Sequence, residues 1–139
     1  MFVRLLQTTP DQEESMAEGY TLKHLDDLEE MEGSGGATWR LARKTLGAES
    51  FGFNVVDIAP GGQIPAHDHS GDDQEEVFVI LDGQGTIVAG DEEHEAPAGT
   101  FCRFAPEVHR SIRNKSGAPV RALLIGVPVK SGYTPMSWG

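Results

Sequence analysis

Cysteine is nearly absent from this chain. Cys102 is the only one in 139 residues, so no internal disulfide can form and the fold must rest on its apolar core. A domain of this length buries about two thirds of its unfolded surface and needs no covalent staple. Positive charge is also scarce, with 11 Lys and Arg against 22 Asp and Glu and a formal net charge of -11. Phosphate backbones and anionic bilayers require clustered cations, so nucleic acid and membrane surfaces are excluded as expected partners. Long hydrophobic runs are missing too. Nothing approaches the roughly 20 apolar residues of a membrane span. The apolar stretch at residues 1–6 is too short for a signal-peptide core and is soon followed by acids. The expected location is the cytoplasm.

What the chain has instead is punctuation, with 17 Gly and 8 Pro. Residues 10–19 are acidic and almost free of large apolar groups, the composition of a loosely docked leader. Leu25 or Leu28 stands at helical spacing from Met31, and Gly33, Gly35 and Gly36 then stop any helix, so one or two turns are expected there. From Ala37 onward, short β-branched and aromatic runs alternate with Gly, Pro and Asp about every ten residues, an all-β signature. Strands are expected over 38–43, 51–58, 63–66, 76–81, 85–89, 93–96, 100–104, 109–113 and 120–127. The division that follows is an N-terminal extension over 1–36, a β-domain over 37–130 and a tail over 131–139.

Chemistry concentrates in His67-Asp68-His69, followed by Glu76 and, further on, His109. Alternate residues of a strand share a face, which places His67 and His69 side by side with Cα atoms roughly 6.6 Å apart. Two imidazoles so placed can reach one ion at about 2.0–2.1 Å each, and Glu76, at the head of Val77-Phe78-Val79-Ile80-Leu81, adds a hard oxygen. His67, His69, Glu76 and His109 form the expected ligand set. His94 lies in an acidic turn, and His24 lies near the N-terminus.

These residues carry a resemblance. Gly61 stands five residues before His67-Asp68-His69, and Glu76 stands six residues before Gly83, as in the first motif of the cupin superfamily. The chain resembles the single-domain, conserved-barrel members of that superfamily over roughly residues 50–127. Six residues separate His69 from Glu76 where the family has three or four; the insertion is rich in Gly, Asp and Ser, and lengthening a loop costs little. Glu75 is the rival ligand, but it breaks the six-residue spacing to Gly83. The second motif is Gly, five to seven residues, Pro-X-Gly, two residues, His, three residues, Asn; Gly99 and Pro106 have its spacing, but Pro106-Glu107-Val108-His109 lacks the glycine and reaches histidine two residues early, and four residues, not three, separate His109 from Asn114.

The resemblance implies a double-stranded β-helix, or jelly-roll barrel, holding one divalent transition metal, Fe, Mn, Ni, Co or Zn. It implies dioxygenase-like or isomerase-like chemistry on a small molecule, with a non-catalytic ligand- or metal-sensing domain as the alternative. It also implies a homodimer. Val77, Val79 and Leu81 point away from the cavity if Glu76, Phe78 and Ile80 point into it, and something must cover them. The apolar character of Cys102 and Phe104 turns them inward; the opposite register would present Arg103 to a substrate. Tyr133 and Trp138 are expected to dock the tail on this chain or its partner.

Overall fold

The computed structural model describes residues 19–138. They contain nine strands: β1 (Glu29–Glu32), β2 (Ala37–Leu41), β3 (Gly52–Ile58), β4 (Gln74–Asp82), β5 (Gln84–Ala89), β6 (Glu92–Pro97), β7 (Phe101–Phe104), β8 (Arg110–Arg113) and β9 (Val120–Pro128). A six-stranded sheet has the order β1-β2-β3-β9-β4-β7, and a three-stranded sheet has the order β6-β5-β8. All pairings are antiparallel. This is the all-β architecture that the sequence pattern predicts and the jelly-roll barrel that the resemblance implies.

Period-two alternation decides which side chains enter the barrel. On β9 the inward residues Val120, Ala122 and Leu124 are buried, while Arg121, Leu123 and Ile125 between them are partly exposed. Val56 and Ile58 of β3, Phe78 and Ile80 of β4, Ile87 of β5 and Ile112 of β8 join them in one apolar core. Cys102 and Phe104 face inward, Phe104 stacking on Phe78 at 4.8 Å, while Arg103 turns outward to Glu75. Burial pushes the Cys102 thiol up, with the Arg110 charge opposing it. Outside the barrel, Asp57 links β3 to its neighbours by accepting from Arg40 and Arg121. Burial works against the Asp57 carboxylate, but the two guanidinium groups outweigh it and hold its carboxyl below the usual range.

The structure departs from the expected strands in three places. Residues 42 and 43 leave the sheet for a short helix, α1 (Ala42–Leu46), because Ala-Arg-Lys-Thr-Leu are mostly good helix formers. Gly47, at φ 75°, ends the helix by donating to the Arg43 and Lys44 carbonyls. Residues 63–66 form no continuous strand. Pro65 has no N–H to give, and only isolated bridges remain, Gln63 to Arg113 and His67 to Arg110. The helical turns expected around 26–31 reduce to a 3-10 turn at Leu25–Asp27, whose Asp26 N–H donates to His24 Nδ1. Met31 lies in β1, opposite Trp39, because β2 offers a sheet edge that a two-turn helix cannot match. Part of the segment read as an extension is thus a strand of the larger sheet.

The leader over 10–19 lies, apart from Gly19, outside the described residues. The tail does not dock on this chain: Tyr133 is 76% exposed and Trp138 is 84% exposed. No helix among the described residues is long and apolar enough to cross a membrane.

Gly83 fixes how the β4–β5 hairpin meets the start of β9. Its φ is +87°, and a Cβ there would collide with the Pro119 carbonyl oxygen and crowd Val120. Gly83→Ala is expected to lower stability by about 2–3 kcal/mol, from left-handed strain plus the clash. Urea unfolding measures it, and a loss within experimental error would mean that the close approach is not a constraint.

Candidate metal centre

Glu76 enters the barrel from β4 and is only 8% exposed. The chain segment bearing the two histidines is fixed by backbone bonds to the other sheet. His67 exchanges N–H to carbonyl bonds with Arg110 at 3.0 and 2.8 Å, and His69 N–H donates to the Pro106 carbonyl at 2.7 Å. The two imidazole rings stand nearly perpendicular, with centroids 5.1 Å apart. His67 Nε2 lies 3.3 Å from Glu76 Oε1, and His69 Nε2 lies 3.5 Å from the same oxygen. The ligand atoms of these three residues all fall within 4.8 Å of one another.

The opposite ring nitrogens are already engaged. His67 Nδ1 lies 3.1 Å from the Pro65 carbonyl, and His69 Nδ1 lies 3.0 and 3.1 Å from the two Asp72 carboxylate oxygens. An oxygen at each Nδ1 can only accept, so each Nδ1 carries the proton and each neutral ring directs its Nε2 lone pair at Glu76. Lone pairs facing a carboxylate repel unless a cation sits between them. A proton on His67 can serve as that cation. The hydrogen bond to Glu76 raises the His67 pKa most strongly; burial pulls it down, the Pro65 carbonyl and the Glu76 charge add to the rise, and Arg110 opposes it.

A divalent ion fits the same gap. Bonds of about 2.0–2.2 Å set neighbouring ligand atoms roughly 3.0–3.5 Å apart, which is the spacing seen between the histidine nitrogens and Glu76. Carbonyl and carboxylate partners on the remote ring nitrogens are the supports that metal-binding histidines commonly have.

His109 is not brought to this group. Its ring is 59% exposed, with Nδ1 3.7 Å from Asp68 Oδ2. Arg110 stands there instead, fully buried, with its guanidinium 5.1 Å above the Phe104 ring and one terminal nitrogen 3.3 Å from Glu76 Oε1. Its other donors go to the carbonyls of Val108, Ala105 and Pro106. The reason is parity. Ile112 faces the core, so Arg110 does too, and His109 must face away. Asn114 gives the same answer, since three residues between ligand and Asn in the second motif lead back to position 110. Asn114 is buried, donating to the Ile58 and Ala118 carbonyls and thereby joining β3, β8 and the approach to β9. His94 and His24 are exposed and paired locally with Glu92 and Asp26. Glu75 points outward to Arg103.

A cavity of about 270 Å³ opens above the cluster, lined by His67, His69, Glu76, Trp39, Phe53 and Arg43 among others. Gly52 and Gly126 are paired across β3 and β9 on its wall, where a Cβ at 126 would lie 2.8 Å from Gln74 Oε1. Two facing glycines keep that end of the barrel open.

The family model described as Cupin domain matches residues 54–126. A cupin protein from Bacteroides fragilis shares 28% identity and a TM-score of 0.61, over 78% of this chain and 92% of that one. A sugar phosphate isomerase from a cupin superfamily, from Silicibacter pomeroyi, shares 22% identity and a TM-score of 0.64, over 76% and 74%. A predicted oxalate decarboxylase from Thermotoga maritima shares 17% identity and a TM-score of 0.69, over 78% and 100%. No curated protein matches the chain.

The His67 shift has a sign that can be checked. Because its pKa in the folded protein is raised above 6.5, the protonated His67 and Glu76 pair stabilises the metal-free fold fully below that value, and the contribution is lost as pH rises through the raised one. His67→Asn in chelator-treated protein is expected to remove this slope from the stability curve across roughly pH 6 to 8. Urea midpoints over that range measure it, and an unchanged slope would rule out the pairing.

Proposed function

The chain belongs to the cupin family, and from that premise we propose that it is a mononuclear metal-dependent enzyme for a small molecule, with His67, His69 and Glu76 as ligands. The observation that carries this reading is the orientation of the two histidines, each with an oxygen at Nδ1 and each presenting Nε2 to the Glu76 carboxylate. The proposed ion is one divalent transition metal from the group Fe, Mn, Ni, Co and Zn. His109 is not part of the proposed set, because it is exposed and faces the other way.

Two nitrogens and one carboxylate are the donor set of the non-haem Fe(II) oxygenases, which supports dioxygenase-like chemistry over the other options. When bound, such an ion supplies Lewis acidity and open coordination positions. The chain supplies the rest. Arg110 donates to Glu76 Oε1 and holds it in place. Asp72 fixes the proton of His69 on the nitrogen remote from the ion. Trp39 and Phe53 give the cavity apolar wall that limits water. The names of the isomerase and decarboxylase neighbours describe those proteins; their similarity to this chain supports the fold.

Metal analysis of protein purified without added ions is expected to give close to one equivalent. The double variant His67→Ala, His69→Ala is expected to give almost none, and full retention of metal would reject the ligand set. If iron is found, an oxygen-uptake screen over small organic acids tests the dioxygenase reading.

A homodimer belongs to the same proposal. On the outer face of the larger sheet Val77, Leu123 and Ile125 are partly exposed, Val79 beside them is buried, and Phe101 on the edge strand β7 is 73% exposed. An exposed apolar face beside an open strand edge calls for a partner. Sedimentation of the wild-type chain is expected to show a dimer and Phe101→Glu a monomer. A wild-type monomer at high concentration would end this part of the reading.

A further inference from the structure

Of the arginines among the described residues, Arg40, Arg103, Arg110, Arg113 and Arg121 each pair with a carboxylate. Arg43 pairs with none among the described residues, in a chain whose net charge is -11. It is also the arginine that lines the cavity above His67, His69 and Glu76. Its terminal nitrogen Nη1 donates to the Ala48 carbonyl at 3.2 Å, which steadies the side chain and leaves most of its N–H groups uncommitted.

The electrostatics of the cavity point one way. Among the described residues Glu76 is the only carboxylate in the lining, and Arg110 already lies against it. The remaining polar lining groups, Asn54 and Gln74, are neutral amides. With an ion at the cluster, the space between ion and Arg43 is positive at both ends. Elsewhere this surface is strongly acidic and repels anions, so an uncompensated guanidinium at this one opening acts as a local reversal of sign. At about 270 Å³ the cavity lies just below the range of roughly 300–1,000 Å³ typical of drug-sized ligands, which restricts the occupant to a small molecule.

We infer that the substrate is a small oxyanion, carrying a carboxylate or phosphate group held by Arg43 at the mouth and a second oxygen directed at the His67, His69 and Glu76 cluster. This rests on the metal reading above for the second contact only; the first contact stands on Arg43. Arg43 is therefore a specificity-determining residue. A guanidinium matches planar carboxylate and phosphate oxygens through paired N–H donors, which an ammonium cannot reproduce fully.

The test uses the full chain, with Co(II) added and with Co(II) removed, and follows binding by calorimetry. Malonate and phosphoglycolate serve as the charged probes, and malonamide as a neutral one of similar size. The wild type is expected to bind both anions and to bind malonamide more weakly. Arg43→Gln is expected to lose roughly twofold to fivefold in anion affinity, the worth of one exposed ion pair, with Arg43→Lys falling between. Binding of malonamide and the Co(II) stoichiometry should be the same in all three proteins. A larger loss of phosphoglycolate than of malonate affinity in Arg43→Gln would identify phosphate as the group that Arg43 holds, and a larger loss of malonate affinity would identify carboxylate. Anion binding that depends on Arg43 in protein that takes up no Co(II) would uphold this inference and remove the metal reading. Equal anion affinity in wild type and Arg43→Gln, no preference for malonate over malonamide, or no binding of either anion would overturn it, and a normal Co(II) stoichiometry would leave the metal reading standing.

Discussion

One carboxylate organises this barrel. Glu76 Oε1 meets two histidine nitrogens on one side and the Arg110 guanidinium on the other, at 3.3 to 3.5 Å, with hardly any solvent to share the charge. A buried carboxylate without such partners would be strongly unfavourable. Its position binds together parts of the chain that are far apart in sequence: β4 supplies the acid, the segment before it supplies the histidines, and β8 supplies the arginine. Arg110 is held in turn by three backbone carbonyls and the Phe104 ring, so the acid inherits a rigid mount. The chemistry of the cluster and the closure of the two sheets upon each other therefore share a single set of contacts.

The distribution of charge supports the same view. Most acidic residues lie on the surface, where they are hydrated and weakly coupled, while the arginines are used as fixed partners at the sheet surfaces and behind the cluster. Asp57 between Arg40 and Arg121 shows this on the outside of the larger sheet, and Glu76 against Arg110 shows it inside. Arg43 is the described arginine that departs from this pattern, and this gives its position at the cavity its weight.

How far the sequence discloses this arrangement depends on which physical signal is strong. The alternation of β9 and the double-sided apolar run of β4 are long and regular, and the strands they indicate are found with ends shifted by a residue or two. The paired histidines and Glu76 were legible because fixed spacings on strands translate directly into shared direction. The helix at Ala42–Leu46 was hidden by its brevity, since five residues give less than two turns of periodicity. The strand at Glu29–Glu32 was hidden because its burial pattern is exposed throughout and only the edge of β2 holds it there. Arg110 was missed for another reason. Chemistry drew attention to the nearest histidine, whereas the parity set by Ile112 and the count back from Asn114 both select the neighbouring residue. A side chain's identity misled where its register would have sufficed.

The loop between His69 and Glu76 is longer than the family pattern, and by length alone it is a tolerated spacer. The structure gives the extra residues a task. Asp72 and Asp73 N–H both return to the His69 carbonyl, Asp73 adopts a left-handed φ of 59°, and the Asp72 carboxylate clasps His69 Nδ1. The insertion thus closes on the very residue from which it departs and sets the tautomer of that imidazole from outside the barrel. The length of this loop and the tautomer of His69 are coupled here through one aspartate. A chain that shortened this turn would keep its two sheets and lose the clamp that orients the second ring.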